Sequence, residues 1–194
     1  MDTLDLERKD FGKEFEEEVK FFLEEKLNFS DVKGGQDFHI APPGQKNQID
    51  ACGRYNDILF VFECKASGRR TKKNLRQDIL ATKERARMVL RSYKYVPEYA
   101  NCNYVKFVFI TKKIEIPDTE KDLLNKDTEP HFWYADENML EYYSDLYEKV
   151  GEYATYNFLA DFGIRPSEDE VLKVAAVKTK IGNYDTYSFY APPK

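Results

Sequence analysis

Apolar and polar positions along this chain switch between two periods. From 10 to 27, DFGKEFEEEVKFFLEEKL sets Phe11, Phe15, Val19, Phe22, Leu23 and Leu27 on one stripe at helical spacing, with Asp10 as the N-cap. Residues 31 to 40 end in alternation and predict a first strand, with Gly34-Gly35 a bend before it and Pro42-Pro43-Gly44 a loop after it. Gln48 to Tyr55 and Ile58 to Cys64 predict two further strands, rich in β-branched and aromatic residues and joined by the turn pair Asn56-Asp57. Residues 66 to 73 read as a loop, and Asn74 to Tyr95 as a helix through Leu75, Ile79, Thr82, Ala86, Val89, Leu90 and Tyr93. Tyr104 to Thr111, YVKFVFIT, predicts a strand in the same sheet, because strand, helix and strand in succession make an α/β arrangement.

The second half is patterned differently. Ile114 to Pro130 is an acidic connection with a helical turn, and His131 to Ala135 is a short strand. Asp136 caps a long tyrosine-rich helix running to about Asp161, and Val171 to Tyr190 reads as a hairpin turning at Gly182-Asn183. This divides the chain into a core over residues 1–115 and an extension over 116–194 with helix and hairpin.

The two central strands place unusual chemistry. With Asn56-Asp57 as a two-residue loop, Tyr55 pairs with Ile58, and the same register sets Asp50 opposite Glu63. Glu63 and Lys65 share a face with Leu59 and Val61, while Ile58, Phe60 and Phe62 fill the other, so the strand is apolar on both faces and predicted central. Facing carboxylates at the end of such a strand are costly unless paired or bound to a cation, and a divalent ion with oxygen ligands removes both penalties. Glu-x-Lys recurs at Glu18-Val19-Lys20 and Glu24-Glu25-Lys26, but those sit on a solvated helix face; only Glu63-Cys64-Lys65 ends a buried strand with an Asp across from it. A structural ion pair is the alternative use of the same residues. On the first helix Glu16 falls inside the apolar stripe, where it either reaches solvent at the edge or supplies a further carboxylate to the same centre.

Charge sharpens this reading. The chain of 194 residues carries a net charge of -5, which by itself disfavours nucleic acid. Yet from Lys65 to Lys94 eleven Lys/Arg face only Asp78 and Glu84, a local balance of +9, leaving -14 elsewhere. A basic segment directly after a candidate metal site is the footprint of a phosphate-backbone binder, with Arg69, Arg70, Lys72, Lys73 and Arg76 nearest the site and Lys83 and Arg87 further along the helix margin. Three cysteines, no CxxC and two histidines argue against a zinc site or disulfide framework and suit a reducing cytoplasm. No apolar run of membrane-spanning length and no basic-then-apolar leader is present, so a soluble protein with no membrane partner is expected. The sequence stops at Ala191-Pro-Pro-Lys194 without an evident natural end, which suggests the remainder of a longer polypeptide.

Helix with Glu16, strand, Asp50 strand, Glu63-Cys64-Lys65 strand, helix, strand: this order resembles the PD-(D/E)XK nuclease superfamily, in particular its Mrr-like and Holliday-junction-resolvase-like members. The resemblance spans roughly Asp10 to Thr111 and rests on Gly12, Phe15, Glu16 and Val19, on Gln48-Ile49-Asp50, and on Glu63-Cys64-Lys65, with Ile49 where the family often has proline. It implies a restriction-endonuclease-like αβββαβ core with a mixed sheet flanked by helices. By position it makes Asp50 and Glu63 ligands of Mg²⁺ or Mn²⁺, gives Cys64 a ligand role through its backbone carbonyl, makes Glu16 an outer carboxylate, and sets Lys65 to orient or activate water. The implied activity is metal-dependent cleavage of DNA, with a homodimer suited to cutting both strands. Residues 132 to 190 also resemble the region leading into a DGQHR domain, as in DndB-like proteins of DNA-modification defence systems. Two rival readings are a nuclease fold retained only for DNA binding or specificity, and a protein-interaction part of a larger assembly using the acidic, tyrosine-rich half.

Overall fold

A computed structural model describes residues 10–38, 48–126 and 130–162. It is an α/β structure with an open, mixed five-stranded sheet flanked by helices. The strands are β1 (Ser30–Asp37), β2 (Gln48–Tyr55), β3 (Ile58–Lys72), β4 (Tyr104–Glu115) and β5 (Phe132–Asp136), side by side in that order. β1, β2 and β3 form an antiparallel meander, and β4 and β5 continue parallel to β3. The helices are α1 (Phe11–Phe21, continued by a π turn over Phe22–Lys26), α2 (Arg76–Ser92), α3 (Asp118–Asn125), α4 (Glu137–Val150) and α5 (Tyr153–Asp161).

β3 lies at the centre because every residue from Ile58 to Cys64 is apolar enough to bury on either face, Glu63 excepted. Ile58, Phe60, Phe62 and Cys64 pack with Phe15 and Val19 of α1 and with the inner faces of α4 and α5; Leu59 and Val61 pack with Ile79, Ala86 and Val89 of α2. Each phenylalanine buried this way contributes about 1.5–3 kcal/mol. The sheet is thus a partition with α1, α4 and α5 on one side and α2 on the other.

The hairpin forms in the expected register, Tyr55↔Ile58 through Ala51↔Phe62. Asn56, at φ 51, takes the left-handed turn conformation that asparagine tolerates. Asp10 caps α1 by accepting from the Lys13 N–H at 3.3 Å, and Asp136 caps α4 by accepting from the Asn138 N–H at 3.0 Å.

Several boundaries differ from the sequence reading. Gly34 and Gly35 lie inside β1 rather than before it, Gly35 at φ 61. Residues 66 to 72 are not a loop: β3 runs on to Lys72, paired with β4 at Ala66↔Lys112 and again at Thr71↔Ile114 across a bulge in β3. Gly68 sits where the Phe11 ring lies against the strand, and a Cβ there would come within 2.5 Å of that ring. The single helix expected to Asp161 is two, broken at Gly151, whose φ of 60 ends α4. The acidic connection contains an eight-residue helix, α3. The hairpin expected over 171–190 falls outside the described residues. Among the described residues no helix is long and apolar enough to cross a membrane.

Candidate active site

The site begins where the central hairpin opens. Past Ala51, β2 stays paired with β1 through Ile49 and Gln48 while its ladder to β3 stops. Alternation breaks at the same place, since Ile49 joins Cys52 in the α2-side layer although Ala51 faces α1. Asp50 sits in the gap, and its Oδ2 accepts the Cys64 N–H at 2.7 Å, replacing a ladder bond that β2 no longer makes.

Near it on β3 lies Glu63, 4% exposed. Its Oε1 receives Lys65 Nζ at 2.5 Å and Arg85 Nη2 at 2.6 Å, and the same Arg85 nitrogen donates to Thr82 Oγ1 at 3.0 Å. Glu16, half-buried on α1, comes close enough for Asp50, Glu63 and Lys65 all to act on its charge. Three carboxylates and two cations therefore share one partly dehydrated corner.

The electrostatics follow. Burial first, and then the charge of Glu63, push the Asp50 carboxyl up from its ordinary value against the opposing pull of the Cys64 N–H, Lys65 and Arg85. Burial, then Asp50 and Asp10, likewise raise Glu16. Burial works to lower Lys65, but the charge and hydrogen bond of Glu63 outweigh it, so the ammonium sits above its ordinary value and stays charged. Burial pushes the Cys64 thiol well up, and its side chain packs in the apolar α1-side layer while its N–H meets Asp50.

Asp50, Glu63, Lys65 and Glu16, the residues expected at the site, lie near one another. The expected basic residues lie on the far part of β3, just after it, and at the start of α2. Arg69, Arg70, Lys72, Lys73 and Arg76 are all exposed; β3 bulges between Ala66 and Thr71, so Lys72, paired with Glu115, lies about 13 Å along the sheet from Lys65, paired with Thr111, and Arg76 opens α2. Arg70 lies 3.9 Å from Glu137 and Lys72 3.4 Å from Glu115. Lys83, expected on the helix margin, is 3% exposed and donates to the Lys126 carbonyl at 3.2 Å, so it is not available to a phosphate backbone; Arg87 pairs with Glu84 at 2.6 Å. The residue sequence reasoning missed is Arg85. Its signal was present: three positions after the inward-facing Thr82 and one before Ala86, it occupies the edge of the buried stripe, level with a carboxylate that needs a cation.

Compared with family models, curated proteins and solved structures, the chain finds no match in any of the three.

Proposed function

We propose that this protein is a metal-dependent nuclease of the PD-(D/E)XK type that hydrolyses phosphodiester bonds in DNA. The observation that carries the proposal is the gathering of three carboxylates at the mouth of the hairpin, buried Glu63 with half-buried Asp50 and Glu16, against Lys65 and Arg85. The order α1-β1-β2-β3-α2-β4 also follows the αβββαβ succession of that superfamily's core.

The donor set suits Mg²⁺ or Mn²⁺. Among the described residues no group of three or more His, Cys, Asp or Glu side chains is placed to hold a metal ion. A pair of hard carboxylate oxygens is nonetheless what Mg²⁺ uses when waters and substrate phosphates complete its shell. Asp50 and Glu63 are the residues that would hold the ion, the Cys64 carbonyl a third oxygen, and Glu16 an outer carboxylate. When bound, the ion polarises a phosphate oxygen and lowers the pKa of an attacking water. Lys65, charged and on the same face as Glu63, orients that water and offsets charge growing on the phosphorane oxygens. Glu16 accepts a hydrogen bond from the water on the side of α1. Arg69, Arg70 and the exposed cations beyond them follow the nucleic-acid backbone along the projecting end of β3, and binding weakens with salt.

The test is cleavage of duplex DNA with Mn²⁺ or Mg²⁺ by the wild type and by folded Asp50→Asn and Lys65→Met. The expected loss is on the order of a hundredfold or more for each; full retention in either variant sinks the proposal. One observation favours the inactive, DNA-binding reading: Lys65 and Arg85 both engage Glu63 Oε1, as they would in a purely structural ion pair. DNA binding that survives Asp50→Asn, with no metal-dependent cleavage by wild type, selects it.

A further inference from the structure

Two cations on one carboxylate oxygen is more than Glu63 needs. Lys65 alone, two residues along the same strand, neutralises it at 2.5 Å. Arg85 arrives from a different element, α2, at 2.6 Å, held in place by the 3.0 Å bond to Thr82 Oγ1. Both cations therefore sit on Oε1, one of the two Glu63 oxygens open to a divalent ion, and their charge opposes a further cation at either.

We infer that Arg85 is a lock on Glu63, so that a divalent cation loads fully only together with a nucleic-acid phosphate. The inference rests on the metal-site reading above and adds a positioning residue to it. Counting Glu16, Asp50 and Glu63 against Lys65 and Arg85, the corner carries one net negative charge. A divalent ion turns this into one net positive charge, and a phosphodiester then restores neutrality. Without Arg85 the same corner starts with two negative charges, is neutral with the metal alone, and is left negative when the phosphate arrives. Arg85 thus opposes the ion in the free protein and favours it in the complex, where the guanidinium can leave Glu63 for a phosphate oxygen, to which its fork geometry is suited. Linkage makes the effect reciprocal: whatever the phosphate does for the metal, the metal does for the phosphate.

Calorimetric titration of Mn²⁺ into wild type, Arg85→Met and Arg85→Gln tests this, each alone and with a short phosphorothioate duplex, which keeps the backbone charge and resists hydrolysis. Arg85→Gln keeps a neutral N–H donor on a shorter side chain, so it reports even if Arg85→Met fails to fold. The neutral variants are expected to bind Mn²⁺ alone about tenfold more tightly than wild type, from removal of one nearby positive charge. The duplex is expected to tighten Mn²⁺ binding on the order of tenfold in wild type and by much less in the variants. Equal or weaker Mn²⁺ binding by Arg85→Gln overturns the lock, since a residue that merely braces Glu63 would lose affinity on removal. If that result comes with wild-type Mn²⁺ binding that Asp50→Asn abolishes, the metal site stands and only the lock falls. Absence of Mn²⁺ binding in every protein, with and without duplex, overturns both.

Discussion

Glu63, at the open end of the central hairpin, and Glu120, where α3 meets the start of α2, are each 4% exposed and keep different company. Glu120 Oε2 accepts the Leu75 N–H at 2.8 Å, just before the first turn of α2, where the helix dipole favours an anion. Its carboxylate serves the helix it holds. Glu63 faces Asp50 and Glu16 and takes cations from both its own strand and α2. Equal burial therefore says little about purpose. What separates the two is the balance of charge around them: the α2–α3 corner is closed, while the hairpin corner keeps a surplus of acid that attracts a further cation.

The largest expected difference lies in truncation. Glu63→Ala leaves Lys65 and Arg85 facing each other with no anion between them, at a cost of about 2–4 kcal/mol; this is discounted from a fully buried pair because both cations are partly exposed. Glu120→Ala removes one acceptor from one N–H and costs about 1–2 kcal/mol. Urea unfolding of both variants measures the gap. Equal losses would erase the distinction between the two corners, as would loss of Mn²⁺ binding in Glu120→Gln.

A pH titration should separate free and metal-loaded protein next. Asp50 and Glu16 are raised from ordinary values of 3.8 and 4.5, so the folded state holds their protons more tightly than the unfolded chain does. The contribution of this pair to stability is thus fully present below those ordinary values and is lost as pH rises through the raised ones. Metal binding requires the deprotonated forms, so its dependence runs the other way: Mn²⁺ affinity falls by up to about tenfold per pH unit for each proton taken up as pH drops through the raised values. Thermal unfolding against pH, with and without Mn²⁺, should give curves that diverge as pH rises. Asp50→Asn should flatten both, and parallel curves for wild type would remove the surplus-charge account.

How far the sequence carried this picture follows from which forces are local. The nearness of Asp50 to Glu63 was legible because a two-residue turn at Asn56-Asp57 sets the hairpin register, which is observed from Tyr55↔Ile58 to Ala51↔Phe62, one pair short of them. The break at Asp50 was not legible, since nothing in Gln48-Ile49-Asp50 announces that β2 will follow β1 and leave β3. Residues 66 to 73 read as a loop because Ser67-Gly68 and the adjacent charges are poor strand formers on their own; they become strand because β4 extends beside them. Lys83 and Arg85 flank the buried stripe of α2 on opposite sides, and neither side is marked in the sequence. Only the neighbours supplied by other elements send one to the Lys126 carbonyl and the other to Glu63.

The smallest expected effect is the one whose sign decides most. Asp50→Asn keeps an oxygen that can accept the Cys64 N–H while removing a buried charge repelled by Glu63 and Glu16, so the metal-free protein should gain roughly 0.5–1 kcal/mol. Glu120→Gln also keeps its acceptor, yet gives up a charge that the start of α2 favours, and should lose about 0.3–1 kcal/mol. Opposite signs from two isosteric substitutions, read as midpoints in urea without metal, mean that the hairpin corner gives up stability by keeping Asp50 charged while the helix corner gains from its acid. A loss at both positions would make Asp50 a structural acid like Glu120, and the repulsion at the hairpin mouth would no longer mark a binding site.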